Sequence, residues 1–103
     1  MSDPMRIRAQ AQGDKVTVRV LVSHDMESGQ RRAADGKLVP AHFIQTISAS
    51  HNGKPVMSAQ WGTAVSKNPF VQFAFKGGKA GEKVSVNWVD NKGEKRSDEA
   101  VIS

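Results

Sequence analysis

Lys15-Val-Thr-Val-Arg-Val-Leu-Val22 alternates with a period of two, placing Val16, Val18, Val20 and Val22 on one face and Lys15, Thr17, Arg19 and Leu21 on the other. Successive side chains of a strand point to opposite sides, and β-branched valines favour the extended backbone. The stretch therefore predicts a strand with one buried face. Leu21 is the one apolar residue on the polar side. A single exposed leucine is ordinary, and it is also what a face covered by a second chain would show.

The same alternation extends in both directions. It appears at Ile7, Ala9 and Ala11, over 43–50, over 56–61, at Val71, Phe73 and Phe75, at Val84, Val86 and Trp88, and over 95–102. Turn chemistry separates these runs: Asn52-Gly53, Gly77-Gly78 with Gly81, and Asp90-Asn91 with Gly93 supply residues that tolerate positive φ. No segment sustains a helical period with caps. About seven short strands without a helix predict an all-β antiparallel sandwich.

At 103 residues the chain has room for one domain, residues 1–103, with a core large enough to fold unaided. It contains no cysteine, which excludes disulfides, thiolate zinc sites, iron–sulfur ligation and thiol catalysis while leaving the compartment open. Nothing approaches the ~18 apolar residues of a membrane span. Arg6 and Arg8 lead into Ala9-Gln-Ala-Gln-Gly13 rather than an apolar stretch, so the chain is expected to carry no signal peptide of its own.

Lysine and arginine number 15 against 10 aspartate and glutamate, a formal charge of +5. The whole excess lies in 36–81, which holds Lys37, Lys54, Lys67, Lys76 and Lys79 and no acid. Folded onto one surface, these lysines would attract anions or an acidic partner. Nucleic acid is the weaker candidate, because the lysines are isolated and no stacking aromatics alternate with them.

Residues 23–41 break the strand rhythm, too polar for a strand and too rich in glycine for a helix. Loops longer than about 12 residues in compact domains are usually functional or disordered, so a binding role, disorder and a short strand of its own around 37–39 all stay open. His24, His42 and His51 are the side chains suited to proton exchange near neutrality, yet they are far apart in sequence. A three-histidine metal site requires all of them at one end of the sandwich. The plainer expectation is that His24 ends a strand, His42 opens one and His51 precedes the Asn-Gly turn, each bonded to backbone or water. No serine stands in a nucleophile elbow, Gly77-Gly-Lys-Ala-Gly81 reads as a turn, and Trp61 and Trp88 read as core. No active site is visible.

Five blocks of the sequence carry a resemblance: His24-Asp-Met-Glu-Ser-Gly29, Gly36-Lys-Leu-Val-Pro-Ala-His-Phe-Ile44, Asn52-Gly53, Ser66-Lys-Asn-Pro-Phe70 and Asp90-Asn-Lys-Gly93. In order and spacing, over nearly the entire chain, they resemble SoxZ, the Z subunit of the sulfur-oxidation (Sox) carrier complex. The family usually has proline after the first histidine and threonine near the loop glycine, where this chain has Asp25 and Ser28. Ser28 is conservative, whereas Asp25 leaves φ free and loosens the turn.

The resemblance implies an immunoglobulin-like sandwich that is not itself an enzyme and needs no cofactor or metal. It implies pairing with a Y subunit whose C-terminal arm ends in a glycine-flanked cysteine. On that cysteine thiosulfate is joined by a haem-containing partner, sulfate is released hydrolytically, and the remaining sulfane is oxidised. A chain without cysteine cannot be the covalent carrier, so its task would be to stabilise the Y subunit and to present it in transient docking to the Sox enzymes. It would reach the periplasm folded with its signal-bearing partner. On this reading the partner contact falls on Leu21, His24, Asp25, Met26 and Glu27, and on Gly29, His42 and Phe43 across the loop. Two readings from other classes stand beside it: a basic β-sandwich adaptor for an acidic protein or nucleic acid, and a small histidine-dependent metal enzyme.

Overall fold

In the computed structural model, which describes residues 4–103, seven strands run in order: β1 (Arg6–Gln12), β2 (Lys15–Leu21), β3 (Ile44–His51), β4 (Lys54–Gln60), β5 (Phe70–Lys76), β6 (Lys83–Asp90) and β7 (Lys95–Val101). Residues 1–3 of the expected domain lie outside the described residues. The strands form two sheets, β1-β2-β5 and β4-β3-β6-β7, with every neighbouring pair antiparallel. This is the immunoglobulin-like sandwich that the strand count and the resemblance predicted.

The valine alternation does the packing. Val16, Val18 and Val20 are fully buried on β2, and Ile47 and Ala49 of β3 with Val84, Val86 and Trp88 of β6 join them in one core. At roughly 25 cal/mol per Å² of apolar surface removed from water, such residues supply the main driving force in a chain without crosslinks. One long side of the sandwich is sealed by backbone, since Ala11 N–H donates to Ser103 O and Ser103 N–H to Ala9 O, both at 3.0 Å. Along the other, the inward residues of the edge strands, Phe73 and Phe75 of β5 and Met57 of β4, stay half-buried.

Strand bounds differ from expectation by a residue or two. Phe43, Val22 and Trp61 fall outside the ladders, and β3 runs on to His51. Asn52 and Gly53 both take positive φ, 49° and 81°, as the hairpin between β3 and β4 requires. Residues 23–41 form an irregular hairpin arm, closed by isolated bridges Glu27↔His42 and Arg32↔Leu38, so the expected strand around 37–39 shrinks to one bridge. The molecule measures 53 × 21 × 20 Å. Strands of this length reach roughly 25 Å, and the surplus matches an arm projecting beyond the sandwich.

Gly78 is buried where a Cβ would lie 2.5 Å from Val16 Cγ2 and 3.0 Å from Phe75 Cε2. Gly78→Ala should therefore lower stability in urea unfolding by about 1–3 kcal/mol through overpacking. Gly62→Ala meets nothing within 4 Å. It should change stability by less than about 0.5 kcal/mol.

Candidate functional site

The alternation that sends Val84, Val86 and Trp88 inward also sends Asp90, the last residue of β6, inward, and only 2% of it is exposed. A carboxylate in such a place needs donors for its oxygens. Four are supplied. Oδ2 accepts from His24 Nε2 at 3.1 Å and His42 Nε2 at 2.7 Å, and Oδ1 accepts from the backbone N–H groups of Lys92 at 3.0 Å and Glu94 at 2.9 Å. Burial is the largest single influence on the Asp90 carboxyl and pushes it up, but the bonds from His24, His42, Glu94 and Lys92 together hold it below the ordinary aspartate value.

His24 lies three residues beyond the end of β2 and is 7% exposed. Its ring stands edge-on to Trp88 with centroids 5.1 Å apart, and to His42 at 4.5 Å. The Met26 N–H donates to His24 Nδ1 at 3.0 Å. A backbone N–H can only donate, so Nδ1 presents its lone pair and the ring's proton sits on Nε2, facing Asp90. His42 reaches the same oxygen from the far limb of the arm and lies 3.7 Å from Glu94 Oε2.

Nitrogen and oxygen atoms of His24, His42 and Asp90 lie within 4.8 Å of one another, so among the described residues this trio is the group able to offer a metal ion three donors. The hydrogen bonding opposes that use. Ligation through His24 Nε2 would move the ring proton to Nδ1, against the Met26 N–H, whereas a metal-bound histidine donates its other ring N–H to an acceptor. What the trio does in this structure is fasten the arm to the end of β6.

Further bonds complete the fastening. Glu27 and His42 exchange backbone hydrogen bonds at 2.6 and 2.9 Å. Asn91 donates its side-chain amide to Ala41 O and its N–H to Phe43 O, both at 2.9 Å, and accepts from Phe43 N–H at 2.8 Å. Asn68 clamps His24 from the other side, accepting from His24 N–H at 3.1 Å and donating its own N–H to His24 O at 2.9 Å. Gly29 takes φ 85° with a Cβ position only 3.2 Å from Ala41 Cβ, so a side chain there is opposed by both backbone and space. On the arm's outer surface Arg31 meets both oxygens of Glu27 at 3.0 Å, and that hydrogen bond holds the Glu27 carboxyl below its usual range.

Several expectations are corrected by this geometry. The three histidines do not gather: His51 sits at the opposite end, 3.0 Å from Glu82 Oε1, and each histidine meets a carboxylate, His24 having in addition the expected backbone partner in Met26 N–H. Met26 does not face outward. It is 6% exposed with φ 49°, and its sulfur accepts from Ile44 N–H at 3.4 Å, so Met26 and His24 shape the arm from within. Asp25 does not leave the turn loose, because the bond from Met26 N–H to His24 Nδ1 closes across it. Asp25 is exposed, whereas Glu27, Gly29, His42 and Phe43 are half-buried around the arm's base. Leu21, 40% exposed, belongs to another surface, the outer face of β1-β2-β5. The five lysines of 36–81 form no single patch: Lys37 and Lys67 lie at the arm end, and Lys54, Lys76 and Lys79 at the other, because consecutive antiparallel strands carry their turns to alternate ends.

Sequence reading missed Asp90 as the centre, taking it only as a turn former. The signal was its phase, two residues beyond Trp88 on the apolar face of a strand, where a carboxylate must have partners.

Fold and site together define a class: a small seven-stranded sandwich whose long arm is fastened by two imidazoles to one buried carboxylate. The chain belongs to the SoxZ family, described as sulphur oxidation protein SoxZ, whose family model matches residues 5–101. Four of the five blocks that carried the resemblance meet at this site, and Asn52-Gly53 alone lies at the far end. No curated protein matches the chain in sequence. Among solved structures, the hypothetical protein PH1083 from Pyrococcus horikoshii OT3 is similar with a TM-score of 0.66 at 20% identity, over 99% of this chain and 89% of that one. Superoxide reductase (neelaredoxin) from Ignicoccus hospitalis gives 0.65 at 18%, over 99% and 80%, and that from Archaeoglobus fulgidus in the reduced form 0.63 at 21%, over 97% and 87%. At these identities the likeness is one of fold.

Asp90→Asn should lower stability at pH 7 by about 3 kcal/mol, because an amide NH₂ must then face either two imidazole N–H groups or two backbone ones. Asp90, Asp98 and Glu82 are all held below their ordinary values when folded. The unfolded chain thus takes up their protons first, so their stabilisation is full above about pH 5 and is lost as pH falls through the folded values. Urea midpoints measured from neutral to acid pH should show this decline, with a shallower slope in Asp90→Asn.

Proposed function

We propose that this chain is the non-catalytic Z-type subunit of a Sox sulfur carrier. It pairs with a Y subunit whose C-terminal cysteine carries the sulfur intermediates of thiosulfate oxidation. It steadies that subunit and helps present it to the Sox enzymes in the periplasm, where both arrive together on the partner's export signal.

The observation that carries this reading is the family match over residues 5–101 in a chain that contains no cysteine. A sulfur-oxidation protein without a thiol has no side chain on which to hold sulfur covalently as a persulfide or thiosulfonate, and leaves that part to another subunit. The arm supports a partnering role. Its base is fastened on three sides by Asp90, Asn91 and Asn68, while Leu38 near its tip is 54% exposed. An element already ordered in the free chain loses little conformational freedom on binding, which favours association.

Co-expression with a Y-type subunit followed by native mass spectrometry tests the reading directly. A stable complex containing one copy of each chain is expected, and a free monomer beside a folded Y subunit would overturn it. Leu38→Asp should weaken that association about tenfold, as loss of an apolar contact at an interface does, while leaving the thermal midpoint of the free chain unchanged.

A further inference from the structure

The outer face of β1-β2-β5 carries charge of one sign. Strand register sets Arg8 opposite Arg19 and Lys15 opposite Lys76, and places Arg6 beside Leu21 and Leu21 beside Phe70. The other outward positions, Gln10, Gln12, Thr17, Gln72 and Ala74, hold no acid. None of the five cations has an ion-pair partner among the described residues. Like charges directly opposite in an antiparallel pair repel, so this face is destabilising in the free chain. Some charges elsewhere are paired, Arg31 with Glu27, Arg96 with Asp98 and His51 with Glu82. The outer face of the second sheet differs in carrying both signs, with Lys83 and Lys95 outward together with Glu99, and Ser48 bonded to Asn87 at 2.8 Å.

Toward the arm end the basic face turns apolar. Leu21 and Phe70, 40% and 60% exposed, are cross-strand neighbours, and with Arg6, Ile7, Arg8 and Arg19 they line a shallow depression. Large apolar side chains held out to water beside uncompensated guanidinium groups are the composition of a binding surface, where arginine and aromatic residues are enriched.

We propose that the outer face of β1-β2-β5 is a docking surface for an acidic protein segment, whose carboxylates meet Arg8 and Arg19 while an apolar side chain settles on Leu21 and Phe70. Charge complementarity selects the partner's sign. The guanidinium forks suit carboxylates in bidentate contact. A single-stranded nucleic acid would need successive aromatic platforms, and Phe70 is the one aromatic on this face, followed by Gln72 and Ala74. The proposal rests on this chain's own charges and is independent of pairing with a Y subunit.

The test uses the full chain and three fluorescent probes of equal charge: an all-glutamate peptide, a glutamate peptide with interspersed leucines, and an oligothymidylate. Anisotropy titrations at low and physiological salt should give tightest binding to the leucine-bearing peptide, weakening as salt rises. Arg19→Glu should reduce that affinity about tenfold or more and raise the thermal midpoint of the free chain, because it turns a repelling cross-strand pair into an attracting one. Lys54→Glu, with the same net charge but on the hairpin at the far end, should lose less than about twofold. Phe70→Ser should weaken the leucine-bearing peptide and leave the all-glutamate peptide unchanged. Equal losses in Arg19→Glu and Lys54→Glu, tighter binding of the oligothymidylate, or no binding of either peptide would each overturn the proposal.

Discussion

One buried carboxylate organises this molecule. Asp90 stands where the apolar face of β6 ends, and its position inside the sandwich is tolerable only while both oxygens are satisfied. The turn that follows supplies two backbone donors, but those reach only Oδ1. Oδ2 must be satisfied from elsewhere in the chain, and the two limbs of the arm each send one histidine. A polar requirement of the core thereby becomes a positional constraint on nineteen residues of irregular chain, 23–41, that have few apolar side chains with which to hold themselves.

The family's sequence blocks make physical sense around that constraint. His24 and His42 saturate Asp90, Met26 sets the tautomer of His24 through its N–H, Asn68 and Asn91 clamp the backbone on either side, and Gly29 lets the limbs approach. These residues act together by holding the arm in one shape. A histidine pair with a carboxylate invites a metal or catalytic reading from composition alone. The hydrogen bonds oppose ligation through His24 Nε2, with His24 Nδ1 facing a donor and Nε2 facing Asp90.

The two broad faces of the sandwich divide the chain's electrostatics. One carries charges of both signs, the other only positive ones, and the arm projects from the end they share. A face charged with one sign acts beyond its own contacts, because long-range attraction speeds encounters with oppositely charged molecules.

The amino-acid sequence by itself determined the local periods. The alternation of Val16, Val18, Val20 and Val22 and of Val84, Val86 and Trp88 fixed which strands form and which face is buried, and Asn52-Gly53 fixed a hairpin, because these depend on residues adjacent in the chain. The absence of cysteine bounded the chemistry in the same direct way. Only the tertiary structure decided that His24 and His42 share Asp90 while His51 does not, that Met26 turns inward, and that positive charge gathers on β1-β2-β5 rather than along 36–81. Those outcomes follow from sheet order and register. They bring together residues as many as 66 positions apart, and no local pattern specifies which distant strand becomes a neighbour.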